Sequence, residues 1–375
     1  MKIGFYSSMP LDDKRNWSGT MYKIYEQILL NGHEIEWIPQ QKLNNNETKK
    51  LSRIQDLFYR TFRRGYNTKV NLYSCFQLGK KITNFLRHKN FDLIFVPTYL
   101  NDFALVKTHI PIIYLNDANI AQLLNYYPYY SGFGWLSKKE TMLIEKKMLQ
   151  KAVINIFSSE WAANYAVEHY GIDRKKVKVV KFGANLNVPE RWQFNKDLHH
   201  EITFLFLAVD WIRKRGNLAY QVLKILREKG YNVKMQIIGC DPNLEEEWIN
   251  IIPFLNKNNP DELLEIQNHL LNSHFLFVPT QADCTPIAFC EAAGYGLPVV
   301  STDTGGVSAH VENKRTGILL SEIATAKDYA EIIEPLLRDK SIIEKMSIAS
   351  RKKYVEELNW KVWGIEFEKI INKNL

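Results

Sequence analysis

The sequence predicts two α/β domains, each a doubly wound parallel sheet with helices on both faces, facing one another across a cleft. Three observations predict this. Short apolar runs alternate with helical stretches over the first half of the chain, a polar stretch interrupts the rhythm, and a second such series follows. With 375 residues, 46% of them hydrophobic, the chain can fill two cores.

The first series reads as strands at "KIGFYSS", "HEIEWIP", "FDLIFVPT", "PIIYLND", "AVINIFSS" and "VKVVKFG". Their continuous apolar character is that of strands covered on both faces. Between the second and third lie "QQKLNNNETKK", expected as a surface loop, and residues 49–66, "KKLSRIQDLFYRTFRRGY". There Leu51, Ile54, Phe58 and Phe62 fall at helical spacing among many Lys and Arg. That pattern fits a helix on an anionic membrane surface and equally a core-facing stripe with a solvated basic face. Residues 125–135, "NYYPYYSGFGW", concentrate aromatic rings suited to packing or to stacking on an acceptor sugar.

"GANLNVPERWQFNKDLHH" has neither strand nor helix period and marks the domain boundary. The second series comprises "ITFLFLAVD", "VKMQIIG", "SHFLFVPT" and "PVVST". The chain ends in "NWKVWGIEFEKIINKNL", where Trp360, Trp363, Phe367 and Ile370 form a docking stripe. The expected domains are therefore 1–188, 189–355 and a helix at 356–375 that packs across both.

A net charge of +8 admits nucleic acid, an anionic surface or a phosphorylated substrate as partner. The absence of zinc-finger, zipper and RNP-like patterns argues against nucleic acid. The four cysteines, Cys75, Cys240, Cys284 and Cys290, show no metal or disulfide spacing, so a reducing compartment and no bound metal are expected. "MKIGFYSSMP" lacks the apolar core of a signal peptide, and no apolar run approaches the roughly 20 residues of a membrane helix. The expected location is the cytoplasm.

Ligands of doubly wound sheets bind beyond the carboxyl ends of the strands. "ADCTPIAFCEAAGYGLPVVSTDTGG", residues 282–306, begins just past one such end. Thr285 is placed to cap a helix and Pro286 to open it, directing backbone N–H groups and the helix dipole toward an anion. Glu291 falls within that helix among Ala, Phe and Cys, where a carboxylate needs a hydrogen-bonding partner. The vicinal hydroxyls of a ribose meet that need. "TDTGG" then provides a turn that lets backbone approach a ligand closely.

The acid pair Asp283 and Glu291, with "AAGYGLPVV" and "TDTGGV" after it, resembles the E-x7-E pattern of the retaining glycosyltransferases of family 4, which have the GT-B fold. "WSGTMYKIYEQILLNGHEIEWI", "VDWIRKRGN", "IIGCD" and "VENKRTGILL" extend the resemblance over most of the chain. It implies that Glu291 holds the nucleotide ribose and Asp283 contacts the donor sugar. It also implies that the backbone of Thr285, Pro286 and Ile287 faces sugar and phosphates, with Gly239 on the donor side. Arg213 and Lys214, beside Arg215, match the cation pair that neutralises the departing diphosphate.

Asp stands at position 283 where the family usually has Glu, and Asn116-Asp117 stands where many members have His-Asp. Ser18, Gly19 and Thr20 in the first βα loop are candidates for acceptor or phosphate contact. The implied activity is a retaining, metal-independent, hexosyltransferase-like transfer, with no cofactor, from a nucleoside diphosphate sugar to a glycan or lipid-linked acceptor. It implies work at the inner face of the cell membrane, in surface polysaccharide or glycoconjugate synthesis. The competing readings are a catalytically inactive nucleotide-sugar or glycan-binding protein and, further off, a phosphorylase or epimerase on the same fold.

Overall fold

The structure, a computed structural model, describes residues 1–374. It divides into two compact units: Met1–Val180 together with the chain from Gly364 onward, and Lys181–Trp363.

The first unit holds β1 (Lys2–Ser7), β2 (Glu34–Pro39), β3 (Leu93–Pro97), β4 (Ile112–Asn116), β5 (Ile154–Phe157) and β6 (Val177–Val179). They form one parallel sheet in the order β2-β1-β3-β4-β5-β6. Every residue of β3, β4 and β5 is buried, as the uninterrupted apolar runs require. Ile94, Val96, Phe103, Ile144, Met148 and Phe157 are at the centre of this unit's core.

The second unit holds β7 (Ile202–Leu207), β8 (Val233–Ile238), β9 (Ile249–Ile252), β10 (Phe275–Val278), β11 (Val299–Thr302) and β12 (Gly317–Leu320). Its parallel sheet runs β12-β11-β10-β7-β8-β9. The strand order reverses between β7 and β10, which makes that crevice the switch point where such folds bind ligands.

β9 and β12, absent from the strands expected from the sequence, are edge strands of only four residues, and β9 has a single buried residue. "QQKLNNNETKK" is only partly loop. Asn44 caps the helix Asn45–Phe62, accepting from Glu47 N at 2.9 Å while Glu47 Oε2 accepts from Asn44 N at 2.7 Å. The N-x-x-E spacing of a capping box outweighs the polar composition.

The final helix, Trp360–Asn374, serves each unit through different residues. In the second unit Trp360 stacks on Phe182 at 5.8 Å, and Ala184 N donates to Leu358 O. Residues 181–188 therefore belong to this unit. In the first unit Phe367 meets Phe95 edge-on at 5.7 Å, and Glu368 pairs with His33 at 2.7 Å. Gly364 permits this approach, since a Cβ there would lie 2.5 Å from the Gln27 side chain.

Candidate functional site

Three βα loops of the second unit converge on Asp283. After β7, Asp210 organises a tight turn, accepting from Arg213 N at 3.0 Å and from Arg213 Nε at 3.3 Å. Such an Asx turn orders the loop before the helix Gly216–Glu228 begins. Arg213 then donates through Nη1 to Ala282 O at 2.8 Å, and Gln281 N donates to Arg213 O at 2.9 Å. Lys214 is ion-paired with Asp283. Arg215 turns away to Glu322 O at 2.9 Å, so the basic pair at the switch point is Arg213 with Lys214.

The loop after β11 closes the arrangement. Gly306 N donates to Asp283 O at 3.1 Å, and His310 Nδ1 donates to Gly306 O at 3.0 Å. His310 is buried, and its Nε2 has no partner among the described residues. Burial pulls its imidazole down to about 4. Gly239, at the end of β8, adopts φ +101°, and a Cβ there would meet Ala208 O at 2.9 Å, so the position demands glycine on backbone grounds.

The helix after β10 runs Ile287–Gly294 with Pro286 at its N-cap, in extended geometry at ψ 93°. Thr285 therefore precedes the cap, and Pro286 precedes the first helical residue. A residue before proline is itself driven to extended backbone, which starts the helix later than composition suggests. Glu291 lies in this helix and is fully buried. Its Oε1 is 2.6 Å from Lys257 Nζ, and its Oε2 has no partner among the described residues.

Ser18, Gly19, Thr20, Asn116 and Asp117 belong to the first unit. After β1, Trp17 and Ser18 adopt φ of 50° and 56°, and Gly19 follows at 89° as the N-cap of Thr20–Leu30. Two successive non-glycine residues in the left-handed region store strain of the kind that gathers at ligand sites. Asn116 ends β4 and is nearly buried. Its Nδ2 donates to Tyr114 OH at 2.8 Å, and its Oδ1 accepts from Asp117 N at 3.0 Å. One donor and one acceptor of the amide are thus committed to holding the loop.

Just beyond, fully buried Glu145 accepts from Ile120 N at 2.6 Å and Ala121 N at 3.3 Å, with Tyr170 OH donating as well. Burial pushes its carboxyl up to about 7. Among the described residues, no three His, Cys, Asp or Glu side chains are gathered to hold a metal ion.

Residues 190–353 match the family model described as glycosyl transferases group 1, and residues 21–188 match the one described as glycosyltransferase family 4. The chain belongs to the GT-B glycosyltransferases. The chain is 30% identical over 216 residues to the capsular polysaccharide biosynthesis glycosyltransferase CapM of Staphylococcus aureus, a match covering 52% of this chain and 55% of CapM. The chain spans about half the length of the first curated relatives it matches.

Among solved structures, it superposes on the lipopolysaccharide outer core galactosyltransferase WaaB with TM-score 0.67, at 14% identity and covering all of both chains. The Anabaena protein HepE in complex with UDP-glucose matches with TM-score 0.59, at 13–14% identity in that complex and its UDP form, and also over full length. These likenesses establish the GT-B fold.

Asp210 and Lys257 were not among the residues expected from the sequence. Asp210 had a legible signal, an aspartate three residues before Arg213 in a βα loop. Lys257 had none, because only the folded sheet carries it to Glu291, 34 residues away.

Proposed function

We propose that this GT-B chain is a retaining glycosyltransferase that moves a sugar from a nucleoside diphosphate donor to a hydroxyl of a glycan or lipid-linked acceptor. The observation that carries the reading is Glu291, a wholly buried carboxylate with one oxygen unpartnered among the described residues, on the helix that follows the switch-point strand β10. A buried acceptor of this kind calls for a donor from a ligand, and ribose hydroxyls have that chemistry. That relatives include a capsular polysaccharide glycosyltransferase, and that HepE carries UDP-glucose, supports a nucleotide sugar as donor and surface polysaccharide as the setting.

In this reading Arg213, Lys214 and the first turn of Ile287–Gly294 neutralise charge growing on the leaving diphosphate, a task performed without a metal. Asp283, steadied by Lys214 and by Gly306, faces the donor sugar. The acceptor hydroxyl attacks from the face the diphosphate leaves, and the diphosphate oxygen takes its proton, so configuration is retained. Asp117 is counted with the catalytic groups and Asn116 with the donor contacts, while the Ser18-Gly19-Thr20 turn serves the acceptor or the phosphates.

The reading also includes a peripheral membrane association. On Asn45–Phe62, Leu51 is buried and Phe58 packs on Tyr66 at 5.2 Å, so the expected stripe faces largely inward. Its last member, Phe62, is exposed, as are Leu57 and Tyr59, beside Arg60, Arg63 and Arg64. Exposed apolar groups flanked by arginines suit an anionic lipid surface. No helix among the described residues is long and apolar enough to cross a membrane.

The deciding experiment is saturation-transfer NMR with UDP, GDP, ADP and dTDP, followed by product NMR with the matching nucleotide sugars. Selective nucleotide binding lost in Glu291→Ala, and an α-linked product from an α-linked donor, are expected. A folded protein that binds none of the four nucleotides contradicts the reading.

A further inference from the structure

The two oxygens of Glu291 are unequal. Oε1 is engaged by Lys257 Nζ at 2.6 Å, whereas Oε2 meets no partner among the described residues. The carboxylate has no exposed area, but the Lys257 side chain is 36% exposed. Lys257 lies between β9 and the helix Pro260–Asn272. The lysine thus bridges solvent and the buried acid.

The donor and acceptor inventory of this pair is specific. An ammonium has three N–H donors and no acceptor, and one donor is spent on Oε1. A carboxylate only accepts. The pair therefore offers one vacant acceptor, Oε2, and spare donors on Nζ. A vicinal diol complements that pattern when one hydroxyl donates to Oε2 and its neighbour accepts from Nζ.

We propose that Lys257 is a specificity-determining residue that, together with Glu291, reads the vicinal diol of the bound nucleotide's ribose, one hydroxyl on each residue. This rests on the nucleotide-sugar reading above and adds a residue to it. If Glu291 took both hydroxyls itself, Lys257 would compete with the ribose, and its removal would tighten binding. The two arrangements give opposite signs.

Titration calorimetry of the full chain with UDP, GDP, ADP and dTDP identifies the base. The 2′-deoxy and 3′-deoxy forms of the nucleotide that binds then report each hydroxyl. Wild type is expected to lose about tenfold in affinity for either deoxy form. Lys257→Met is expected to bind the ribonucleotide about tenfold more weakly and to ignore the loss of one hydroxyl while still sensing the other.

Unchanged or tighter binding by Lys257→Met, or two intact deoxy penalties, overturns the proposal. Should Lys257→Met fail to fold, Lys257→Met/Glu291→Gln compared with Glu291→Gln alone reads the same penalty without an unpaired buried charge. Binding of dTDP alone, which has no vicinal diol, also overturns the proposal, whereas failure of wild type to bind UDP, GDP, ADP or dTDP would instead sink the underlying nucleotide-sugar reading.

Discussion

Lys214 and Asp283 are ion-paired across the crevice between β7 and β10, with both side chains mostly buried. They lie 69 residues apart and come from the two loops that flank the point where strand order reverses. A pair held there contributes to packing, and its proposed part in sugar transfer can be tested separately from that.

Asp283→Asn or Lys214→Met breaks this mostly buried ion pair from one side, at a cost on the order of 3–5 kcal/mol. The double variant Lys214→Met/Asp283→Asn removes both charges and is expected to recover most of that stability. Sugar transfer is expected to stay at least about a hundredfold down in all three. Urea midpoints beside transfer rates check this, and recovered transfer in the double variant would reduce the pair to a structural role.

The two buried histidines of the second unit set an acid limit on stability. His274 accepts from Thr203 N at 2.9 Å and also contacts Asp197 O, and burial lowers it to about 4, with Lys196 and Lys340 adding to the effect. His310 is likewise lowered to about 4 by burial, with Lys181 and Lys353 nearby and Asp283 opposing. Between about pH 6.5 and 4 the unfolded chain binds protons that the folded chain refuses, so stability falls with pH across that window. The loss is at most about 3 kcal/mol per histidine. Denaturant midpoints should drop between pH 7 and 5 in wild type, and His274→Asn/His310→Asn should flatten the drop.

Glu145 acts with the opposite sign. Its folded carboxyl titrates near 7 and its unfolded one near 4.5, so its stabilising share is complete below about 4.5 and is lost as pH rises through 7. Tyr170, Tyr165 and Tyr114 surround it, and the N–H groups of Ile120 and Ala121 donate to it. Glu145→Gln keeps an acceptor for Ile120 and is expected to raise stability at pH 8 by about 2 kcal/mol, with no gain at pH 4.5. Thermal unfolding at the two pH values tests it, and equal shifts at both would refute the assignment.

The exposed basic helix gives a cosedimentation prediction. Wild type should pellet with phosphatidylglycerol vesicles at low salt, and Arg60→Glu/Arg63→Glu/Arg64→Glu should stay in solution, since each arginine contributes about 1 kcal/mol near an anionic surface. Equal behaviour of the two proteins would remove the membrane from this reading.

β3 and β10 were legible because strands covered on both faces have to be apolar throughout, and "LIFVP" and "FLFV" are. The helix Asn45–Phe62 was read from Lys49 onward, while its start at Asn45 was hidden in a polar run that the eye takes for a loop. Asp283 and Glu291 were legible because their spacing is local to one segment.

The sequence by itself determined the strands covered on both faces, and that an acid-bearing helix follows an apolar strand. Both are written in short-range periodicity, which a few neighbouring residues suffice to encode. Only the tertiary structure decided that Lys214 meets Asp283, that Arg215 leaves for Glu322, and that Lys257 holds one oxygen of Glu291 and leaves the other without a partner. Those pairings join loops of different strands, and which loops meet is fixed by sheet order, a property of the packed whole.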